Sequence, residues 1–168
     1  MLQTERLILA IPSQPDFERY FAIHSDPETN LFNPNGPMNL DTAKASFSEI
    51  ISHWEKYEFG NWAIKEKTTG EVIGFGGLSY RKYGSEFKLN LGYRFGKNHW
   101  GKGYATELSR YAIKYGFHEL FFPIIFAVVR PKHEVSIKVL EKCGLKLSGL
   151  LDDVPGEPQS LVYTIEKK

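Results

Sequence analysis

Between residues 40 and 57 the apolar side chains Leu40, Ala43, Phe47, Ile50, Ile51 and Trp54 recur at helical spacing, which predicts an amphipathic helix with one buried stripe. Asp41 in its first turn suits the positive end of the helix dipole. A period of two takes over at 86–95, where Phe87, Leu89, Leu91, Tyr93 and Phe95 alternate with Lys88, Asn90, Gly92 and Arg94, as in a strand. Strands are also predicted near 5–11, 61–66 and 71–80, the last joined to 86–95 as a hairpin around Tyr83-Gly84-Ser85. A helix near 14–25 leads into a loop dense in turn residues, from Asp26-Pro27-Glu28-Thr29-Asn30 to Asn33-Pro34-Asn35-Gly36-Pro37.

Further on, Tyr104, Leu108, Tyr111, Ala112 and Tyr115 predict a helix near 104–118. Pro123-Ile124-Ile125-Phe126-Ala127-Val128-Val129 is apolar on both faces, which predicts an interior strand covered on each side. A short helix near 133–143 and strands near 145–151 and 160–166 complete a mixed α/β layer fold. The strand at 86–95, the helix at 104–118 and the strand at 123–129 form a β-α-β unit whose strand ends face a ligand.

The link inside that unit carries the chemistry. In Gly96-Lys97-Asn98-His99-Trp100-Gly101-Lys102-Gly103-Tyr104-Ala105-Thr106-Glu107-Leu108, Gly101 and Gly103 have no Cβ, so the backbone can bend through positive φ and bring its N–H groups close to an oxyanion. The helix that follows adds unpaired donors and partial positive charge. Any strand-to-helix turn also welcomes glycine, so this spacing alone fits a structural role as well.

The same residues resemble motif A of the GNAT superfamily of acetyl-CoA-dependent N-acetyltransferases: Gln or Arg, two residues, Gly, one residue, then Gly or Ala. Asn98-His99-Trp100-Gly101-Lys102-Gly103 fills that frame, with Asn98 in place of the first residue. The wording Trp-Gly-Lys-Gly-Tyr-Ala-Thr-Glu resembles the branch containing the ribosomal-protein N-terminal acetyltransferases. Leu2 to Leu9 is similar to that branch's opening strand, and Gly60 to Ile64 with Gly70 to Leu78 to its second and third. Arg130 to Leu145 is similar to its second cofactor-side segment, with His133 where the branch usually has Asn and Leu145 where it has Phe. The resemblance implies a mixed, mostly antiparallel central sheet of about seven strands, splayed in the middle and flanked by about four helices. The pantetheine arm of acetyl-CoA, the implied co-substrate, enters at the splay. The implied cofactor-binding residues are Tyr93, Arg94, Phe95, Asn98, His99, Trp100, Gly101, Lys102, Gly103, Tyr104, Ala105, Thr106, His133 and Ser136, with the turn amides on the pyrophosphate.

Composition narrows the setting. At 168 residues, 42% hydrophobic and 24% charged, the chain reads as one globular domain over 1–168, with no internal repeat or linker. A net charge of +1 gives no reason to expect a nucleic-acid partner. Cys143 is the only cysteine, which excludes an intramolecular disulfide and a thiolate metal cluster. His24 and His99 lack Cys or carboxylate at ligand spacing, so no metal is expected. No apolar run approaches the roughly 20 residues of a membrane span, and a cytoplasmic monomer or homodimer is the expectation.

Two residues stand for the reaction itself. Ser136 shares the inward stripe of Leu140 and Cys143; it is either a small residue satisfied by a backbone carbonyl or, as the branch resemblance suggests, the group that gives a proton to departing coenzyme A. Many GNAT enzymes use a Tyr four positions later, where this chain has Leu140. Asn90 lies at or near the site where relatives often place a Glu as general base, and an amide accepts no proton from an ammonium, which leaves a water route ordered in part by Asn90. His133 is either a weak helix cap or a group near the cofactor. Glu107 reads as a first-turn acid, and Cys143, on a buried stripe, as no nucleophile.

The expectation is an N-acetyltransferase that moves acetyl directly to a primary amine, either a protein N-terminus or a small amine. The acceptor wall would come from the 26–39 loop and Asp152-Asp153-Val154-Pro155-Gly156-Glu157. A non-catalytic acyl-CoA sensor is the alternative; a phosphotransfer protein would need a P-loop Lys-Ser or Lys-Thr pair, or a metal-binding Asp near the turn, and neither is there.

Overall fold

The stripe between 40 and 57 folds as a helix, with its first member Leu40 exposed and Ile50 and Ile51 half-buried. In the computed structural model, which describes residues 1–168, α2 spans Leu40–Tyr57 and buries Ala43, Phe47 and Trp54. Asn39 caps it by accepting the Thr42 amide at 2.8 Å. The other helices are α1 (Phe17–His24), α3 (Tyr104–His118) and α4 (Glu134–Lys142). The strands are β1 (Leu2–Gln3), β2 (Leu7–Ala10), β3 (Asn61–Glu66), β4 (Val72–Tyr83), β5 (Glu86–Phe95), β6 (Ile124–Val129), β7 (Lys146–Leu151) and β8 (Ser160–Glu166). They hydrogen-bond in the order β1-β2-β3-β4-β5-β6-β8-β7, an open mixed sheet. No helix is long and apolar enough to cross a membrane.

Backbone contacts divide the chain into two compact units, Met1–Gly77 with Tyr93–Tyr104, and Leu78–Gly92 with Ala105–Lys168. In the first unit, β1, β2 and β3 pair antiparallel, with Leu2 opposite Leu9 and Leu7 opposite Glu66. The core gathers Tyr20, Ile23, Ala43, Phe47, Ala63 and Phe75, with the Tyr20 ring 5.1 Å from those of Phe47 and Phe75. His24 stacks on Tyr20 at 4.0 Å, bonds the Tyr20 carbonyl oxygen through Nδ1, and is held neutral by burial, which brings its pKa down to about 4. The turn-rich loop is fixed by buried Asn30, whose amide donates to the carbonyl oxygens of His24 and Asp26.

In the second unit, β6 pairs antiparallel with β8, and β8 with β7. β5 and β6 run parallel and meet at one pair, Asn90 opposite Phe126. Gly116 of α3 lets the helix sit close: a Cβ there would lie 2.8 Å from Leu78 and 2.9 Å from Ile125. The β7 ladder is irregular between Leu147 and Gly149.

Three details differ from the sequence expectation. The sheet has eight strands rather than about seven, because the opening segment breaks in two. Thr4 turns the chain there, its amide on the Leu7 carbonyl oxygen at 2.9 Å and its hydroxyl accepting the Leu7 amide at 3.1 Å. β6 is not equally covered on both sides: Ile125, Ala127 and Val129 are buried, whereas Ile124, Phe126 and Val128 are half-buried. In β5, Phe87 is 68% exposed while Leu89, Asn90 and Leu91 are buried in succession, so the strand's middle, not one face, is covered.

Candidate functional site

The first unit holds the turn. After β5 a short 3-10 turn, Lys97–His99, and an extended Trp100 lead into Gly101 at φ +73° and Gly103 at φ +81°, and α3 begins at Tyr104. Only glycine takes such backbone without strain. Residues 101–103 are exposed, and a Cβ on Gly101 would meet nothing within 4 Å. The start of α3, with its free amides and positive dipole end, therefore opens onto unfilled space where an anion fits.

Side chains hold this turn from behind. Trp100 Nε1 donates to the Phe95 carbonyl oxygen at 3.0 Å, and Arg6 Nη1 donates to the Lys102 carbonyl oxygen at 2.8 Å. The Arg6 guanidinium also lies 4.4 Å from the centre of the Tyr104 ring. The Tyr104 hydroxyl donates to Glu66 Oε2 at 2.6 Å, and the hydroxyls of Thr68 and Thr69 donate to Glu66 Oε1 at 3.1 and 3.3 Å. These bonds, the one from Tyr104 foremost, hold the Glu66 carboxyl below its ordinary range against the opposing effect of burial. His99 Nδ1 stands 3.8 Å from Glu66 Oε2, beyond hydrogen-bond reach, and burial lowers the imidazole pKa despite that carboxylate.

Tyr93, Arg94 and Phe95 lie in the same unit. A Cβ on Gly74 would fall 2.6 Å from the Phe95 ring and 2.8 Å from the Arg94 carbonyl oxygen, so glycine is needed for β5 to approach there. The Arg94 guanidinium donates to Asn30 Oδ1, which commits this side chain to the 26–37 loop. Asn98 is exposed at the turn.

The second unit holds the other candidates. Asn90 is buried, and its Oδ1 accepts the Tyr83 hydroxyl at 2.5 Å. Burial drives the Tyr83 pKa well upward, so this phenol is a neutral donor and no base. Ala105 and Thr106 are half-buried in the first turn of α3, and the Thr106 carbonyl oxygen accepts from Cys143 Sγ at 3.8 Å. Burial raises the Cys143 pKa, so the thiol stays protonated. His133 stands at the N-cap of α4 without a side-chain capping bond, and half-buried Ser136 follows one turn in, on the stripe of Leu140 and Cys143. Asp153, an acid of the β7–β8 loop, is already engaged: it accepts from Ser160 at 2.8 Å and lies 3.7 Å from Arg130 and 3.5 Å from Arg81.

The family model described as an acetyltransferase (GNAT) domain matches residues 6–146. The chain belongs to the GNAT acetyltransferase family. An uncharacterized N-acetyltransferase, p20 of Bacillus licheniformis, is 33% identical over 153 residues, which are 90% of this chain and 85% of that protein. The chain spans about half the length of another relative, the uncharacterized protein YkkB of Bacillus subtilis (strain 168), 36% identical over 92 residues and matched over 54% of its length. The acetyltransferase from Agrobacterium tumefaciens str. C58 superimposes with a TM-score of 0.83 at 28% identity, over 99% of this chain and 94% of that one. A spermidine N-acetyltransferase from Vibrio cholerae in complex with CoA and spermine shares the fold, with a TM-score of 0.76 at 18% identity over 96% and 95% of the two chains.

GNAT enzymes use acetyl-CoA as co-substrate, and the open glycine turn fits a diphosphate. Not legible as functional in the sequence were Arg6 and Glu66, which hold this GNAT turn, and Tyr83 and Asn30, which engage Asn90 and Arg94. Glu66 shares the strand parity of buried Trp62 and Ile64, the one signal that could have exposed it. Arg6, Tyr83 and the Asn30–Arg94 contact have partners far along the chain or across the hairpin, which periodicity does not reveal.

Proposed function

We propose that this GNAT chain transfers the acetyl group of acetyl-CoA directly to a primary amine while both substrates are bound. One observation carries the reading: two left-handed glycines leave the backbone bare in front of the N-terminus of the 15-residue helix α3. The amides from Gly101 to Thr106 bind the diphosphate. The amine nitrogen attacks the acetyl carbonyl, the C–N bond forms as the C–S bond breaks, and the ammonium proton passes to water. Backbone amides of Tyr93 to Phe95 meet the charge developing on the carbonyl oxygen. Ser136 gives the departing sulfur its proton and regains one from solvent. An alkyl thiol of pKa near 8.5 leaves tolerably unaided, so this donation is a modest aid.

The acceptor class follows from the missing base. Asn90 cannot take an ammonium proton, and its Oδ1 accepts from a Tyr83 hydroxyl that is itself held neutral. An α-amino group has a pKa about 2.5 units below that of a lysine side chain, which saves about 3.5 kcal/mol of deprotonation. That is the scale of a positioned general base, roughly 10²–10⁴-fold. The acceptor is therefore an α-amine, such as a protein N-terminus, or another amine of low pKa. Asp153, bridged by two arginines and Ser160, offers little attraction to a polycation.

Competition tests this reading: a peptide with a free N-terminus against the same peptide N-blocked and carrying a lysine, at pH 7.4 with acetyl-CoA. Acetylation should go mainly to the free N-terminus. Preference for lysine would reveal an effective base, and no turnover across an amine panel despite CoA binding would leave the sensor reading.

A further inference from the structure

The turn that faces the diphosphate is short, exposed and built on two glycines, and the Trp100 indole ties its start to the Phe95 carbonyl oxygen. Its glycine end is held from elsewhere in the first unit. Arg6, from just before β2, reaches the Lys102 carbonyl oxygen, and its Nη2 lies 3.5 Å from where a Cβ on Gly103 would stand. Its guanidinium covers the ring of Tyr104, the first residue of α3. The hydroxyl of Tyr104 ends on Glu66, at the last position of β3.

Glu66 is an uncommon residue for that place. It is 9% exposed, on the strand parity of Trp62 and Ile64, which are 1% and 0% exposed. A buried carboxylate costs free energy unless its oxygens are hydrogen-bonded. Here Oε1 accepts from Thr68 and Thr69 and Oε2 from Tyr104, so the anion is kept and its bond to Tyr104 is charge-assisted. A negative charge behind an anion site would repel the ligand, and the Arg6 guanidinium, lying over the Tyr104 ring beside the glycine turn, offsets it. The arrangement spends a buried charge to fix one hydroxyl, and that hydroxyl belongs to the residue that sets where the first α3 amides point.

We propose that Glu66 is a positioning residue for the cofactor: through the Tyr104 hydroxyl, with Arg6 on the other side of the ring, it clamps the glycine turn from behind and sets acetyl-CoA affinity without touching acetyl-CoA. The proposal rests on the reading of Gly101–Thr106 as the diphosphate site.

The test measures KM for acetyl-CoA and for the amine separately, with the Kd of CoA by calorimetry, in the wild type, Glu66→Ala, Glu66→Gln, Tyr104→Phe and the double variant Glu66→Ala/Tyr104→Phe. Loss of a charge-assisted hydrogen bond predicts a rise of about tenfold in the acetyl-CoA KM and the CoA Kd for Glu66→Ala and for Tyr104→Phe, with the amine KM unmoved. The double variant should be no worse than either single one, since both break the same bond. Glu66→Gln, which keeps an acceptor for Tyr104, should recover most of the affinity. If Glu66→Ala folds poorly, Glu66→Gln and Tyr104→Phe still decide the matter. Wild-type CoA affinity in Tyr104→Phe, additive losses in the double variant, or equal rises in both KM values would overturn the clamp. A wild-type chain that binds no CoA would instead remove the diphosphate site itself, and the clamp with it.

Discussion

The helices α3 and α4 both begin beside candidate chemistry, yet they are entered differently. α3 follows two left-handed glycines and presents bare backbone; α4 follows His133, at φ −83° and ψ 68°, which makes no side-chain capping bond. In the proposed reaction the first start works through amides that every residue owns, and only the absence of side chains marks it out. The second would work through the side chains of His133 and Ser136, each of which has ordinary structural uses as well. A backbone site is specified by what is missing, and a side-chain site by what is present, so the two fail in different ways when changed.

The largest expected effect is at α3. Gly103→Glu places bulk and negative charge in front of the amides and forces a side chain onto backbone at φ +81°. Acetyl-CoA affinity should fall at least about 100-fold, or about 2.7 kcal/mol, and the rise in melting temperature caused by CoA should vanish. In the wild type CoA should raise that temperature while ATP and NAD do not; equal stabilisation by ATP would undo the assignment of the turn. At α4 the expected effect is smaller and falls on rate. Ser136→Ala should lower kcat by about tenfold with the Kd for acetyl-CoA unchanged, because the lost bond belongs to the transition state. A variant with wild-type kcat would make Ser136 a structural residue. The smallest effect concerns the cap: His133→Asn gives α4 the acceptor it lacks and should add about 1 kcal/mol of stability, or about 2–4 °C in melting temperature. A lower melting temperature would show that the imidazole contributes more here than a cap.

What could be read along the chain follows the same division. The α2 stripe and the glycine turn were legible because periodicity and missing Cβ atoms are local properties. β1 was not, since two residues carry no period and the break depends on one Thr4 turn. The apolar run at β6 concealed which face is buried, because Ile and Val read alike on both sides. Asn90 was singled out for a missing carboxylate, but its partner Tyr83 lies across a hairpin, and the hydroxyl that engages its Oδ1 became visible only in three dimensions. Glu66 is the fullest case of this kind: its partner Tyr104 is 38 positions away, and only strand parity hinted that a carboxylate was being buried.

The irregular ladder of β7 has a consequence for how copies of the chain meet. β7 is the last strand of the sheet and exposes Leu147 and Leu150, which would make a straight edge a template for another molecule's strand. The register shift between Leu147 and Gly149 breaks the even spacing of N–H and C=O groups that such a strand would need, and Lys146 adds a charge where pairing would start. The irregularity therefore guards the margin of the sheet against edge-to-edge stacking.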